Sequence, residues 1–263
     1  MRGRRVTLLS LLACLLMVGC RIRSTGPHWT ETHGRGELIR IAGGSVGLLA
    51  IGSNGLVYNY PETGGTWHEW NGQLHPRAIG GSRDGLLYSG QDAGRVGFGR
   101  RGRVDAPAWT LSADATDLAG DSSGKLSYAI ANGRVSRLLE SGQVADVCPE
   151  VHAVGIAIAQ DKLWVSDAQR LYVATESGCT GAAAAPEHVI RLSGLGDRLF
   201  VVDAQGDVFR RVKTGSWQKL PRPKKFRADR MPQDRSVTDV AVTSTAAWVL
   251  DDERTVFLLS ESE

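Results

Sequence analysis

Six histidines are spread along the 263 residues, at His28, His33, His68, His75, His152 and His188. None falls in the His-x-x-x-His or His-Glu-x-x-His spacing that sets two imidazoles on one zinc ion. The acids Asp251-Asp252-Glu253, and Asp203 with Asp207, offer oxygen ligands of the kind calcium takes. Both groups stand between two apolar runs, where short acids favour tight turns. The expectation is therefore no metal and no cofactor. The string Gly-x-Ser-x-Gly occurs at residues 43–47 and 120–124, but no amphipathic helix follows either, as a nucleophile elbow requires, and a phosphate-binding loop is missing from the sequence. The chain is accordingly expected not to be an enzyme.

The densest chemistry is electrostatic. Residues 210–235 hold ten Lys and Arg against two Asp, with Pro221, Pro223 and Pro232 among them. Such a stretch reads as a long solvated loop, and long loops on rigid scaffolds often carry function. Arg222, Lys224, Lys225 and Arg227 are the expected partner contacts, with Phe226 as an apolar anchor. The partners that fit are anionic: lipid headgroups, lipopolysaccharide, an acidic protein face or an acidic glycan.

The elements that position these residues repeat. Each unit is an apolar strand, a turn, a second strand, a Gly/Asn/Asp turn and a third strand, often followed by Trp. The equivalent turn positions Gly55, Gly94, Gly133, Gln169 and Gly206 lie 39, 39, 36 and 37 residues apart. That period, with two-residue alternation and Val, Ile, Tyr, Phe and Trp, indicates propeller blades rather than helical solenoids. Six three-strand units are readable. Trp67, Trp109 and Trp217 mark fourth strands, and residues 143–147 supply one for the third unit. The last unit ends near Ser260 without a Trp segment, while Trp29 stands spare before the first. The chain is therefore expected to be all-β, a propeller of six four-stranded blades over residues 28–263. A strand near Trp29 would close the ring, since closure pairs an otherwise open edge. A five- or seven-bladed ring and a pair of β-sandwiches are the alternatives.

Arg2, Arg4 and Arg5 precede an apolar run from Val6 to Val18, interrupted only by Thr7 and Ser10. This layout is that of a secretory signal, and the run is short for a spanning helix. Its end, Leu16-Met17-Val18-Gly19-Cys20, resembles the bacterial lipobox, with Met17 where Leu is usual. The resemblance implies a signal peptide over residues 1–19, cleavage before Cys20, diacylglycerol on the Cys20 thiol and a tether over residues 20–27. Arg21 is not the aspartate that signals inner-membrane retention, so the expected place is the outer membrane of the cell envelope. Removing three arginines leaves 28 basic against 28 acidic residues. Formal neutrality and export both argue against nucleic acid as a partner. Cys148 and Cys179 then remain in an oxidising compartment, where a disulfide is the default and two buried thiols the alternative.

The repeats resemble those of bacterial propeller lipoproteins and, less specifically, tectonin-like and assembly-factor-like repeats. The residues Pro61-Glu62-Thr63-Gly64-Gly65-Thr66-Trp67 resemble a degenerate Asp-box, a turn whose Trp packs into the core. Lipid anchoring, propeller repeats and the lack of a catalytic signature point to a membrane-anchored protein-interaction scaffold in an envelope assembly, of secretion, motility or outer-membrane biogenesis. The second class is a tectonin-like lectin in which exposed aromatics such as Trp70 and Tyr60 stack on sugars.

Overall fold

The computed structural model describes residues 26–32, 37–71, 74–82, 85–90, 92–100, 103–105, 108–121, 123, 125–227 and 230–260. The signal segment and Cys20 lie outside the described residues. The chain opens with β1 (His28–Glu31). Blade 1 follows as β2 (Leu38–Gly44), β3 (Gly47–Gly52), β4 (Val57–Tyr60) and β5 (His68–Asn71). Blade 2 is β6 (Ile79–Gly81), β7 (Leu86–Ser89), β8 (Arg95–Arg100), β9 (Arg103–Val104) and β10 (Trp109–Thr110). Blade 3 is β11 (Ala115–Gly120), β12 (Ser127–Ala131), β13 (Arg134–Leu138) and β14 (Val144–Val147). Blade 4 is β15 (Gly155–Ala159), β16 (Lys162–Ser166), β17 (Leu171–Thr175) and β18 (Gly178–Gly181). Blade 5 is β19 (Val189–Leu195), β20 (Arg198–Asp203), β21 (Val208–Arg211) and β22 (Trp217–Lys219). A hairpin, β23 (Lys224–Arg227) and β24 (Arg230–Asp234), precedes blade 6: β25 (Val237–Val242), β26 (Ala247–Asp251) and β27 (Val256–Ser260).

Each blade is an antiparallel sheet in chain order, except that in blade 2 both β9 and β10 pair with β8, and blade 6 takes β1 as its outer strand. The register sets Trp29 opposite Leu259 and His28 opposite Ser260, so the expected closure is present. Six apolar clusters fill the six joints between neighbouring blades. Alternation explains this packing, because successive side chains of a strand point to its two neighbours in the ring. The inner strands are buried on both faces, as the unbroken burial of β15 shows. Trp29, Trp67, Trp109 and Trp217 each pack in an inter-blade cluster. At the centre the strands meet backbone to backbone. A Cβ on Gly43 would lie 1.9 Å from the Val242 carbonyl oxygen, and one on Gly81 1.7 Å from that of Gly43. Only glycine fits there.

The repeated turns between second and third strands hold Gly55, Gly94, Gly133 and Gly206 at φ between 72° and 79°. Blades 4 and 6 lack that glycine and place Ala168 (φ 68°) and Arg254 (φ 65°) in the same left-handed region. Aspartates brace these turns, as Asp203 does in blade 5: Asp167 accepts the amides of Gln169 and Arg170, and Asp251 those of Glu253 and Thr255. Cys148 and Cys179 form the expected disulfide, with Cα atoms 5.2 Å apart. It joins the end of blade 3 to β18, so it encloses most of blade 4, whose outer strand, like that of blade 3, carries no Trp. No helix among the described residues is long and apolar enough to cross a membrane.

Candidate functional site

The inner strands all begin on one face of the ring, here called the upper face. The turns between second and third strands and the connections between blades lie on it too. Backbone bonds tie them together, including Val237 N–H to Gly206 O (3.1 Å), Asp252 N–H to Ser236 O (2.9 Å) and Ala153 N–H to Gly133 O (2.8 Å). Two features occupy this face: the mouth of the central channel and the β23–β24 hairpin.

Four inner strands carry a charge at the same repeat position: Arg40 on β2, Asp117 on β11, Arg191 on β19 and Asp239 on β25. A register shift just before each of these residues marks the bulge that turns it toward the axis. Blades 2 and 4 have Ala78 and Gly155 there, which leaves room for the long side chains. Arg40 reaches across to Asp117 (3.1 Å) and sideways to Asp239 (3.4 Å), while Arg191 approaches Asp239 at 3.9 Å. Each acid also joins its blade to the next. Asp239 Oδ2 accepts the Ile41 amide at 2.9 Å, and Asp117 Oδ2 the Ile156 amide at 3.0 Å. Burial pushes the Asp117 carboxyl above its ordinary pKa, against the pull of Arg40. Burial also works against the Arg40 charge, but Asp239 and Asp117 outweigh it and hold the guanidinium firmly protonated. The four charges cancel and fill the mouth. About 30 Å³ of free volume remains, room for a water or two.

The basic stretch is not a loop. Lys224 pairs with Asp234 and Arg227 with Arg230 in a two-stranded ladder. Pro232 is tolerated because a lone hairpin has only edges. The expected contacts Arg222, Lys224 and Lys225 come together on the upper face, and Arg227 sits at the hairpin's far end. The structure also supplies counterions that the local sequence hides. Asp207 takes Lys219 at 2.6 Å and Arg222 at 2.7 Å. Glu253 takes Lys225 at 3.1 Å, and Arg235 spans Asp251, Asp252 and Glu253 at 2.6–3.2 Å. The acids considered as calcium ligands are thus bound to turn amides and to these cations. The hairpin is clipped onto the turns of blades 5 and 6.

Two of these acids should titrate in opposite directions from the ordinary 3.8. Burial works upward on both. At Asp207 the bonds from Arg222 and Lys219 outweigh it, so the pKa is lowered. At Asp251 burial prevails over the Thr255 amide and Arg235, so the pKa is raised. The Asp207 contacts therefore contribute stability above the unfolded pKa and lose it as pH falls through the lower folded value. Carboxyl carbon shifts followed by NMR should show the Asp207 midpoint below that of Asp251. The reverse order would refute this assignment of the two environments.

The lectin aromatics are misplaced as exposed groups. Trp70 is 7% exposed and packs with Leu49, Leu74 and Leu86 between blades 1 and 2. Tyr60 is half-buried, its ring 5.4 Å from both Trp67 and Trp248. Strand alternation turns both toward a neighbouring blade, so neither presents a face to a sugar.

No family model matches the chain, and no curated protein matches its sequence. Solved structures do match. Virginiamycin B lyase from Staphylococcus aureus aligns with a TM-score of 0.56 at 14% identity, over 90% of this chain and 95% of that one. A streptogramin B lyase gives 0.57 at 9% identity over 90% and 98%, and the WD40 propeller domain of Doa1 gives 0.57 at 11% over 90% and 97%. The chain is a six-bladed propeller of WD40-like architecture. Such a fold is compatible with a protein-interaction scaffold. The comparison also corrects one expectation. The lack of a linear motif in its catalytic setting led to the reading that the chain is not an enzyme, yet two propellers of matching extent are lyases. Catalytic groups on a propeller can come from separate blades, where no linear motif records them.

Proposed function

We propose that this chain is a lipoprotein of the cell envelope, held by lipid on Cys20, whose propeller is a protein-interaction scaffold in an envelope assembly. Outer-membrane placement follows from Arg21 after the lipidated cysteine. The observation that carries the scaffold role is the β23–β24 hairpin, added between two blades and held across the upper face by ion pairs. A rigid ring fixes where the hairpin stands, and its lysines and arginines set encounter and orientation with an acidic protein face. The partner's carboxylates would compete with Asp207, Asp234 and Glu253 for the same cations. The lectin alternative draws less support, because Trp70 and Tyr60 are packed between blades.

Changing Arg222, Lys224, Lys225 and Arg227 together to serine tests this reading. The protein should stay folded, since the six inter-blade clusters are untouched and the partly exposed pairs contribute about 1 kcal/mol each. Recovery of its envelope partner by the lipidated protein should fall, most at low salt, where screening is weakest. Undiminished recovery across a salt series would sink the assignment of the hairpin as the docking element.

A further inference from the structure

The position of the closing strand fixes where any anchor joins the ring. In β1, His28 pairs with Ser260 and Glu31 with Phe257. Strand β27 starts on the upper face, after the turn at Asp252 and Glu253, and Ser260 is its last residue. His28 therefore stands at the lower end of blade 6, on its outermost strand. The preceding chain reaches the propeller from the lower face, opposite the channel mouth and the hairpin.

Cys20 lies eight residues before His28, a reach of at most about 28 Å when fully extended. With the lower face toward the bilayer, the whole of that reach is available to the anchor. With the upper face toward the bilayer, the tether must first double back along the height of β1, about 13 Å, and then pass the hairpin. That uses nearly half of its full extension, about 13 of about 28 Å, before the hairpin is passed.

Building on the lipid-anchor reading above, we propose that the lower face of the propeller lies against the bilayer that holds its own lipid. The upper face, with the charged mouth and the hairpin, then points into the aqueous space. The hairpin's partner is on this view a protein that approaches from solution, and the headgroups of the anchoring membrane meet the opposite face.

The test uses full-length lipidated protein in phosphatidylethanolamine and phosphatidylglycerol vesicles that contain a headgroup-nitroxide lipid. A fluorophore is attached through Ser244→Cys, in the exposed lower turn of blade 6, or Ser53→Cys, in the exposed upper turn of blade 1. Quenching should be several-fold stronger at position 244 than at position 53. Equal or reversed quenching in protein that floats with the vesicles and carries the lipid mass overturns the orientation alone. Protein that neither floats nor shows lipid on Cys20 by intact mass overturns the anchoring reading and the orientation with it. A Cys20→Ala control should stay unbound and unquenched at both positions.

Discussion

Replacing Asp239 by alanine should lower the unfolding free energy by about 3–5 kcal/mol, because it breaks a buried ion pair from one side only. Asp239 is 4% exposed and faces Arg40 and Arg191. Its Oδ2 is also the acceptor for the Ile41 amide across the joint between blades 6 and 1. Alanine leaves that amide without its acceptor and leaves two arginines facing one acid instead of two. A buried donor stripped of its partner carries its full desolvation cost. Asparagine retains an acceptor for Ile41 and should lose less, which separates the hydrogen-bond contribution from the charge. Denaturant unfolding at neutral pH, with the slope unchanged, measures both. A loss below about 1 kcal/mol for the alanine variant, the size of an ordinary surface change, would show that water replaces the carboxylate freely.

The ring and its closure were legible because they rest on local, repeated signals. Period-two alternation and the turn glycines mark each blade, and the spare Trp29 segment at one end matches the missing strand at the other. The charged mouth was not legible in the same way, since Arg40, Asp117, Arg191 and Asp239 are isolated charges far apart in sequence. A signal does exist. Aligned on the turns, the repeats read Arg40-Ile41-Ala42-Gly43, Asp117-Leu118-Ala119-Gly120, Arg191-Leu192-Ser193-Gly194 and Asp239-Val240-Ala241-Val242. A charge at one column of an otherwise apolar inner strand points to the axis, where only an opposite charge can accompany it.

The hairpin failed for a different reason. Three prolines and a run of cations suggest a loop, but a two-stranded ladder has no central strand for proline to disrupt. Its neutralising acids come from Asp207 and from residues 251–253, turns of two different blades. Local charge counting therefore finds a basic patch where the folded chain has interlocked ion pairs. Trp70 teaches a related lesson. A Trp beside polar residues at a strand end looks exposed in sequence, yet alternation decides its side, and here that side is a blade joint.

Removing the disulfide should lower stability by about 3–4 kcal/mol, the loop-closure value for its 31-residue separation. The bridge encloses nearly all of blade 4, whose outer strand Gly178–Gly181 brings no Trp to the neighbouring joint. Cys148 is itself in the apolar cluster between blades 3 and 4, and Cys179 packs against it. The Glu150 carboxylate accepts the Cys179 amide at 2.6 Å, so one polar link between the two segments survives loss of the sulfur bridge. A Cys148→Ala, Cys179→Ala double variant should therefore still fold, because the β15–β18 ladder and the inter-blade clusters are intact. Its denaturation midpoint should fall to that of wild-type protein held in reductant, and blade 4 amides should exchange faster than those of blades 1 and 6. Agreement between the variant and the reduced protein isolates the bridge from the small cavity that alanine leaves. If both unfold at the wild-type midpoint, β18 is held by its ladder alone and the bridge does not clamp the blade.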